Sequence, residues 1–369
     1  MKEPMNTDMH KEIGVAVDLG STTIAVCCLD MVTKNEILSF SFANPQHIYG
    51  ADVITRIKHC VDNPSMINKM HLLVEDSLQL QLKEHLGDAY SHVSSIVYSG
   101  NTTMLHIMRE LSLNGLSRAP FQPVDLHYKE EICQGISYIF LPGFSAFVGA
   151  DILAGAKYLQ MGKTDAYELL VDLGTNGELL LLNKEKGFAS STACGPVFDH
   201  VISGAKYGSE SMKIIANCVK RGLIDRTGKL ADALFEKGIV IDKNFTVKQE
   251  NIRNFQLAKG AIHAGIQCLL DKAEITAKDV SKVYISGGLG FYMNQRDAFT
   301  LKMLPMEFAD KIEISGNTSL EGAKTILLVE KDKKAQLLSE YERICKRTES
   351  FELANAESFQ ERYINSLEF

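Results

Sequence analysis

No uninterrupted apolar run in these 369 residues approaches the length of a membrane-spanning helix. The opening residues, MKEPMNTDMHKE, lack the apolar core of a secretory signal, so a soluble, cytoplasmic protein with no membrane role is expected. The eight cysteines, at 27, 28, 60, 133, 194, 218, 268 and 345, include no CxxC pair and no cluster of the kind that ligates zinc or an iron–sulfur centre. Cys27 and Cys28 are neighbours in an apolar strand and read as small buried hydrophobes. None of the ten histidines forms HExxH. A basic excess is missing too: 39 Lys and Arg stand against 46 Asp and Glu, giving a net charge of -7. That balance excludes the positive field that nucleic acid or an anionic membrane demands, while leaving room for a local anion site.

What is present is a core-forming composition, 45% hydrophobic, in a chain long enough for two or three domains. It contains one phrase written twice. GVAVDLGSTTIAVCCLD runs from Gly14 to Asp30 and LLVDLGTNGELLLLNK from Leu169 to Lys184, with Asp18 and Asp172 separated by 154 residues, too far for a solenoid repeat. In each copy an apolar strand delivers a carboxylate to its end. Gly20 or Gly174 then permits a tight turn, and Ser21, Thr22 and Thr23, or Thr175, Asn176 and Gly177, leave backbone N–H groups uncovered for phosphate oxygens. A plain β-hairpin is the alternative for either copy alone; matched strand contexts favour phosphate binding.

The rest of the chain repeats with them. Three strands, helix, strand, helix, strand, helix describe the first half, ending in VSSIVYSG, NTTMLHIMREL, ISYIFLPGF and GADILAGAKYL. The second half repeats the order through GFASSTACG, FQLAKGAIHAGIQCLLDKA, VSKVYISGG, KIEISGN and LEGAKTILLVEK. We expect an α/β protein with one lobe over residues 13–160 and a second over 167–330, the latter with an insertion at about 205–254. Residues 331–369, charge-rich and helix-prone, are expected as a solvated C-terminal cap with an edge strand near Phe351.

Like-charged carboxylates cannot bind phosphate directly, but Asp18 and Asp172 can hold a hydrated Mg2+, which needs only one or two protein carboxylates. One of them can also orient the attacking water or hydroxyl. ISGGLG ends a strand with two adjacent glycines, so Ser286, Gly287, Gly288 and Leu289 are candidates for a nucleoside wall. Gly195, in the turn after STAC, is a candidate for closing the phosphate pocket. Lys259 is a candidate nucleotide contact, with a solvated lysine as the alternative. Asp52 and Arg56 lie four apart on a helical face and read as an ion pair, or else as a partner-facing pair. Asn101 reads as a helix N-cap or a cleft residue.

This order of elements resembles the superfamily of acetate and sugar kinases, heat-shock chaperones and actin. The resemblance implies two ribonuclease-H-like lobes around a nucleotide cleft, with DLGSTT and DLGTNGE as phosphate motifs, ISGGLG as adenosine motif, and GADILAGAKYL and LEGAKTILL as connecting helices. Within it, NPQHIYGADVITRI (Asn44 to Ile57), SGNTTMLHIM (Ser99 to Met108), APFQP (Ala119 to Pro123), LPGFSAFVGADILAG (Leu141 to Gly155), STACGPVFDHVISGAK (Ser191 to Lys206) and QLAKGAI (Gln256 to Ile262) are similar to the ATP-dependent reductive activators of corrinoid proteins.

Membership would imply ATP and Mg2+ as cofactors. It would also imply ATP hydrolysis coupled to reduction of Co(II) to Co(I) on a corrinoid protein or corrinoid methyltransferase, and a homodimer. Two features depart from that pattern. The iron–sulfur module is missing from this chain, so the electron is expected from a separate ferredoxin-like protein unless the chain is part of a longer one or has left corrinoid chemistry. The glycine-rich loop expected after GPVFDHVISGAK is shortened to Tyr207, Gly208, Ser209, Glu210 and Ser211. A small-molecule kinase and a nucleotide-dependent binding module with little turnover are the competing readings.

Overall fold

The computed structural model describes residues 12–174, 176–192, 208–241 and 246–369, and for 208, 289, 291 and 292 the backbone alone. The described chain forms two compact units. Unit 1 holds the residues up to Leu159 together with Thr318–Lys346, and unit 2 holds Gln160–Asn317 and Arg347–Phe369.

Unit 1 is built on a six-stranded sheet. In chain order its strands are β1 (Ile13–Leu19), β2 (Thr23–Asp30), β3 (Glu36–Ala43), β4 (Val93–Gly100), β5 (Lys129–Cys133) and β6 (Ile136–Phe140), and in space they run β3-β2-β1-β4-β6-β5. The first three pair antiparallel, and β4 lies parallel to both β1 and β6. Central β1, IGVAVDL, is buried on both faces apart from Asp18, whereas β3 alternates as a strand with one wet face must. Cys27 and Cys28 are buried as expected, and burial pushes both thiols up to about 12. The helices of this unit are α1 (Val53–Asp62), α2 (Ser65–Leu86), α3 (Thr102–Met108) and α4 (Ala150–Tyr158).

Unit 2 repeats the plan. β7 (Tyr167–Leu173), β8 (Gly177–Leu182) and β9 (Gly187–Thr192) pair antiparallel. After them come α5 (Gly208–Lys220), the small hairpin β10 (Ile239–Val240) and β11 (Thr246–Val247), and α6 (Gln249–Lys272). β12 (Val280–Ser286), α7 (Gly287–Tyr292), α8 (Gln295–Thr300), β13 (Ile312–Gly316) and β14 (Thr348–Ser350) complete it, in the order β13-β12-β7-β8-β9-β14. β12 is parallel to both β7 and β13. Each sheet therefore contains the five-strand ribonuclease-H-like order, three antiparallel strands followed by two parallel ones, so the α/β class and the duplication hold. The edges differ: β5 closes one end of the first sheet, and β14 adds parallel to β9 at the opposite end of the second.

Several expectations need correction. β5, KEEIC, is exposed at every position, so no burial pattern announced it; the Gln134-Gly135 turn, both residues at positive φ, folds it back on β6. α6 begins at Gln249 rather than near Phe255, because its first turns are polar on all but one side and only Ile252 packs inward. From Gly208 onward the segment expected as a shortened loop is helix. α9 (Thr318–Leu328) lies against α4, β1 and β4. Beyond it the chain is largely exposed or half-buried, with α10 (Lys331–Arg347) burying Leu337, Tyr341 and Ile344 and α11 (Phe359–Asn365) lying against α6. The core of unit 2 joins Leu169, Val171, Leu179 and Leu181 to Phe255, Ile262 and Ile266 of α6 and to Val283 and Ile285. Each such side chain contributes about 1.5–3 kcal/mol by leaving water.

Candidate functional site

Both acidic hairpins form, and in both the aspartate closes the central strand beside the parallel strand. In unit 1 Asp18 pairs with Ala25 across the hairpin and with Ser99 of β4. Its carboxylate is half-buried, and Oδ1 accepts a hydrogen bond from Ser319 Oγ at 2.7 Å; Ser319 Oγ lies 2.9 Å from Ser99 Oγ. In unit 2 Asp172 pairs with Glu178 across the hairpin and with Ser286 of β12. Oδ2 of Asp172 accepts from Ser286 Oγ at 2.6 Å. Each carboxylate is thus held by a serine hydroxyl from an element remote in sequence. A hydrogen bond to an ionised acceptor is among the stronger ones a protein makes.

The two turns are built differently. A Cβ on Gly20 would stand 2.5 Å from the Thr23 carbonyl oxygen, so the first turn admits only glycine there. At Gly174 the nearest atom, Asp172 Oδ1, would be 3.5 Å away, an ordinary contact. The first turn therefore requires glycine at position 20, whereas the space at Gly174 would admit a Cβ. The Gly174 N–H donates to the Asn176 carbonyl at 3.1 Å, which closes the second turn on itself, and Gly177 opens β8. Thr22 and Thr23 are exposed while Ser21 is buried. Thr175 and Gly195 lie outside the described residues.

The first turn is braced from behind. Asn44 Nδ2 donates to the Gly20 carbonyl at 2.8 Å, Arg56 Nη2 to the Ser21 carbonyl at 2.6 Å, and the Asn44 N–H to the Thr22 carbonyl at 2.8 Å. The ion pair read from the Asp52–Arg56 spacing is not made. Asp52 is in extended backbone as the N-cap of α1, where Oδ1 accepts from the Thr55 N–H at 2.9 Å, and Arg56 is turned fully into the interior. Asn101 is likewise an N-cap, accepting from the Met104 N–H at 3.0 Å.

The glycines after β12 divide their work. Gly287 has φ +84°, and a Cβ there would fall 2.7 Å from Asp172 Oδ1, so it permits the second aspartate's close packing. Around Gly288 a Cβ would meet nothing within 4 Å, which leaves its backbone open. The DLGTNGE and ISGGLG segments, 114 residues apart at Asp172 and Ser286, are thus joined through Ser286, Gly287 and Asp172. The Leu289 backbone follows in α7.

Lys259 is not solvated. It is fully buried on α6, its Nζ donates to the Glu368 carbonyl at 2.5 Å and lies 5.3 Å from the Phe369 ring centre, and burial, helped by Lys302, lowers its pKa to about 7. Two residues escaped the sequence reading. Ser319 stands in α9, 301 residues from Asp18, and no local pattern marks it. Glu178 sits in the DLGTNGE phrase itself, buried and directly opposite Asp172, and the β-hairpin register was the signal that could have found it. Among the described residues no group of three or more His, Cys, Asp or Glu side chains is arranged to hold a metal, and no helix is long and apolar enough to cross a membrane.

Comparison with known proteins fits this geometry. The family model described as "RACo middle region" matches residues 13–164, and that described as "C-terminal domain of RACo the ASKHA domain" matches residues 200–369. The corrinoid activation enzyme RamQ of Eubacterium limosum is 26% identical, the match covering 99% of this chain and 72% of RamQ. The Co(II) methylated amine-specific corrinoid protein reductase of Methanosarcina barkeri is 21% identical over 96% of this chain and 77% of its own length. A solved structure, a reductive activator for corrinoid,iron-sulfur protein, matches with a TM-score of 0.85 at 26% identity, covering 98% of this chain and 66% of that one. This chain thus spans just under two thirds of the solved relative. Family models for two successive regions of RACo match in order along it and together cover most of its length, so the chain belongs to the RACo family.

Proposed function

We propose that this chain binds ATP with a hydrated Mg2+ through its acidic hairpins and uses ATP hydrolysis to drive the one-electron reduction of Co(II) to Co(I) in a corrinoid protein or corrinoid methyltransferase. The observation that carries the reading is the recurrence, in both units, of a strand-ending aspartate tied by a serine hydroxyl. The curated relatives, a corrinoid activation enzyme and a corrinoid protein reductase, supply the substrate class.

The carboxylates of Asp18 and Asp172 are hard oxygen donors of the kind magnesium takes, since it keeps several waters and needs one or two protein carboxylates. When bound, the ion neutralises phosphate charge. The chain's own residues do the rest: one of Asp18 and Asp172 orients the attacking water, and the N–H groups of residues 21–23 and 175–177 hold phosphate oxygens. Gly195 borders the phosphates, and Gly288 offers open backbone to the nucleoside. Water attacks the terminal phosphoryl group, yielding ADP and inorganic phosphate. The electron comes from a separate ferredoxin-like protein, and a homodimer belongs to the same proposal.

The test is phosphate release by the purified chain with and without a Co(II) corrinoid protein, followed by Co(I) absorbance in the presence of reduced ferredoxin. Release should rise with the corrinoid protein, and Co(I) should form only when ATP and reductant are both supplied. A rate that stays flat across several corrinoid proteins overturns the proposal, and transfer of phosphate to a small hydroxylated substrate would put the chain among kinases.

A further inference from the structure

Arg56 is fully buried in unit 1, yet no carboxylate stands within ion-pair distance of it among the described residues. Its acceptors are neutral: the Gly50 carbonyl at 3.0 Å from Nε, Gln46 Oε1 at 3.2 Å and Met104 Sδ at 3.3 Å from Nη1, and the Ser21 carbonyl at 2.6 Å from Nη2. Burial lowers its pKa to about 10, which leaves it cationic at neutral pH, with Asp52 acting in the opposite sense. A buried, uncompensated cation is costly to maintain, and packing alone gives no reason for one.

The reason lies in what it holds. The carbonyls of Gly20, Ser21 and Thr22 are taken in succession by Asn44 Nδ2, Arg56 Nη2 and the Asn44 N–H. In a trans peptide each N–H points opposite to the carbonyl before it, so these bonds turn the N–H groups of Ser21, Thr22 and Thr23 away from the brace. Gln46, which accepts from Arg56, is itself fully buried and donates to the Met70 carbonyl at 3.1 Å, so the brace is anchored to α2.

We infer that Arg56 is a positioning residue for polyphosphate binding: with Asn44 it sets the direction of the turn amides and places a fixed positive charge behind them. Resting on the nucleotide reading above, it gives the segment from Asn44 to Ile57 a role that neither an ion pair nor a partner contact explains. It acts through the turn and needs no contact with the nucleotide.

Arg56→Gln separates this from a purely structural role. Calorimetry with ATP and, separately, with adenosine should show the ATP dissociation constant raised at least tenfold and that for adenosine unchanged. Equal weakening of both, or neither, overturns the inference. Amide hydrogen exchange on the ligand-free protein supplies an arm independent of the nucleotide reading. The buried Asn44 amide, which donates to the Thr22 carbonyl, should exchange faster in the variant while the amides of α2 keep their rates; unaltered exchange at Asn44 overturns the brace. If the wild-type chain binds no ATP, the proposed function falls with the phosphate half of this inference, and the exchange arm still decides the brace. Should Arg56→Gln fail to fold, Arg56→Lys takes its place, keeping the charge while losing the planar fork that reaches Gly50, Gln46 and Ser21 together.

Discussion

The hydroxyl of Ser319 donates to the carboxylate of Asp18 at 2.7 Å, joining α9 to the end of β1 across 301 residues of sequence. Ser286 does the same for Asp172 at 2.6 Å, but from the adjacent parallel strand. The two halves reach one result by different routes. In unit 1 the serine of the adjacent strand, Ser99, stands 2.9 Å from Ser319.

Removing either serine hydroxyl should loosen its carboxylate without disturbing the core. A hydrogen bond to a charged group is worth about 1.5–3 kcal/mol, so Ser319→Ala and Ser286→Ala should each lower the kcat of ATP hydrolysis about tenfold or more. Steady-state phosphate release measures this, with KM for ATP staying within about twofold. Unchanged kcat in both variants would remove the serines from the site.

Asp172→Ala deletes a charge at a strand end and no packed core side chain. Turnover should fall by about two orders of magnitude or more, with the circular dichroism spectrum and unfolding midpoint nearly those of the wild type. Retained turnover would reject the assignment of Asp172.

The glycines predict an asymmetry between the turns. Gly20→Ala drives a Cβ into the Thr23 carbonyl and should destabilise unit 1 by about 1–3 kcal/mol in urea unfolding, as overpacking does. Gly174→Ala meets only ordinary contacts and should change stability by no more than about 0.5 kcal/mol. Equal effects would contradict the geometry.

Stability should also depend on pH through α6. Burial lowers Lys259 from 10.5 to about 7, so between those values the unfolded chain carries the proton that the folded one has lost, and this group makes stability rise with pH. Burial, with Lys259 nearby, lowers His263 from 6.5 to about 4, and the same sign applies across that lower window. Melting temperatures measured from pH 4 to 10 should therefore climb less steeply in Lys259→Met above pH 7 and in His263→Leu below pH 6.5. Parallel profiles for variants and wild type would refute both assignments.

Much of this architecture could be read along the chain because its signals are short-range. An apolar strand, an acidic residue and a glycine turn within a dozen residues announce each hairpin, and the recurrence of strands β4 and β12 with their glycine ends announces the duplication. β5 was invisible because it is exposed throughout and owes its existence to a two-residue turn. The Asp52–Arg56 pair misled because spacing on a helix says nothing of where the helix begins: Asp52 lies one residue before it, and the cap geometry takes its carboxylate.

By itself the order of residues determined that two acidic, glycine-turned hairpins exist and that each belongs to a three-plus-two sheet, since period and turn chemistry are local properties. Only the tertiary structure decided which serine holds which aspartate and that a buried arginine stands behind the first turn. It also decided that Lys259 serves the C-terminal residues. Those contacts arise where strands pair in parallel and helices pack across the sheet, so their partners are brought together by chain crossings that leave no periodic trace in the sequence.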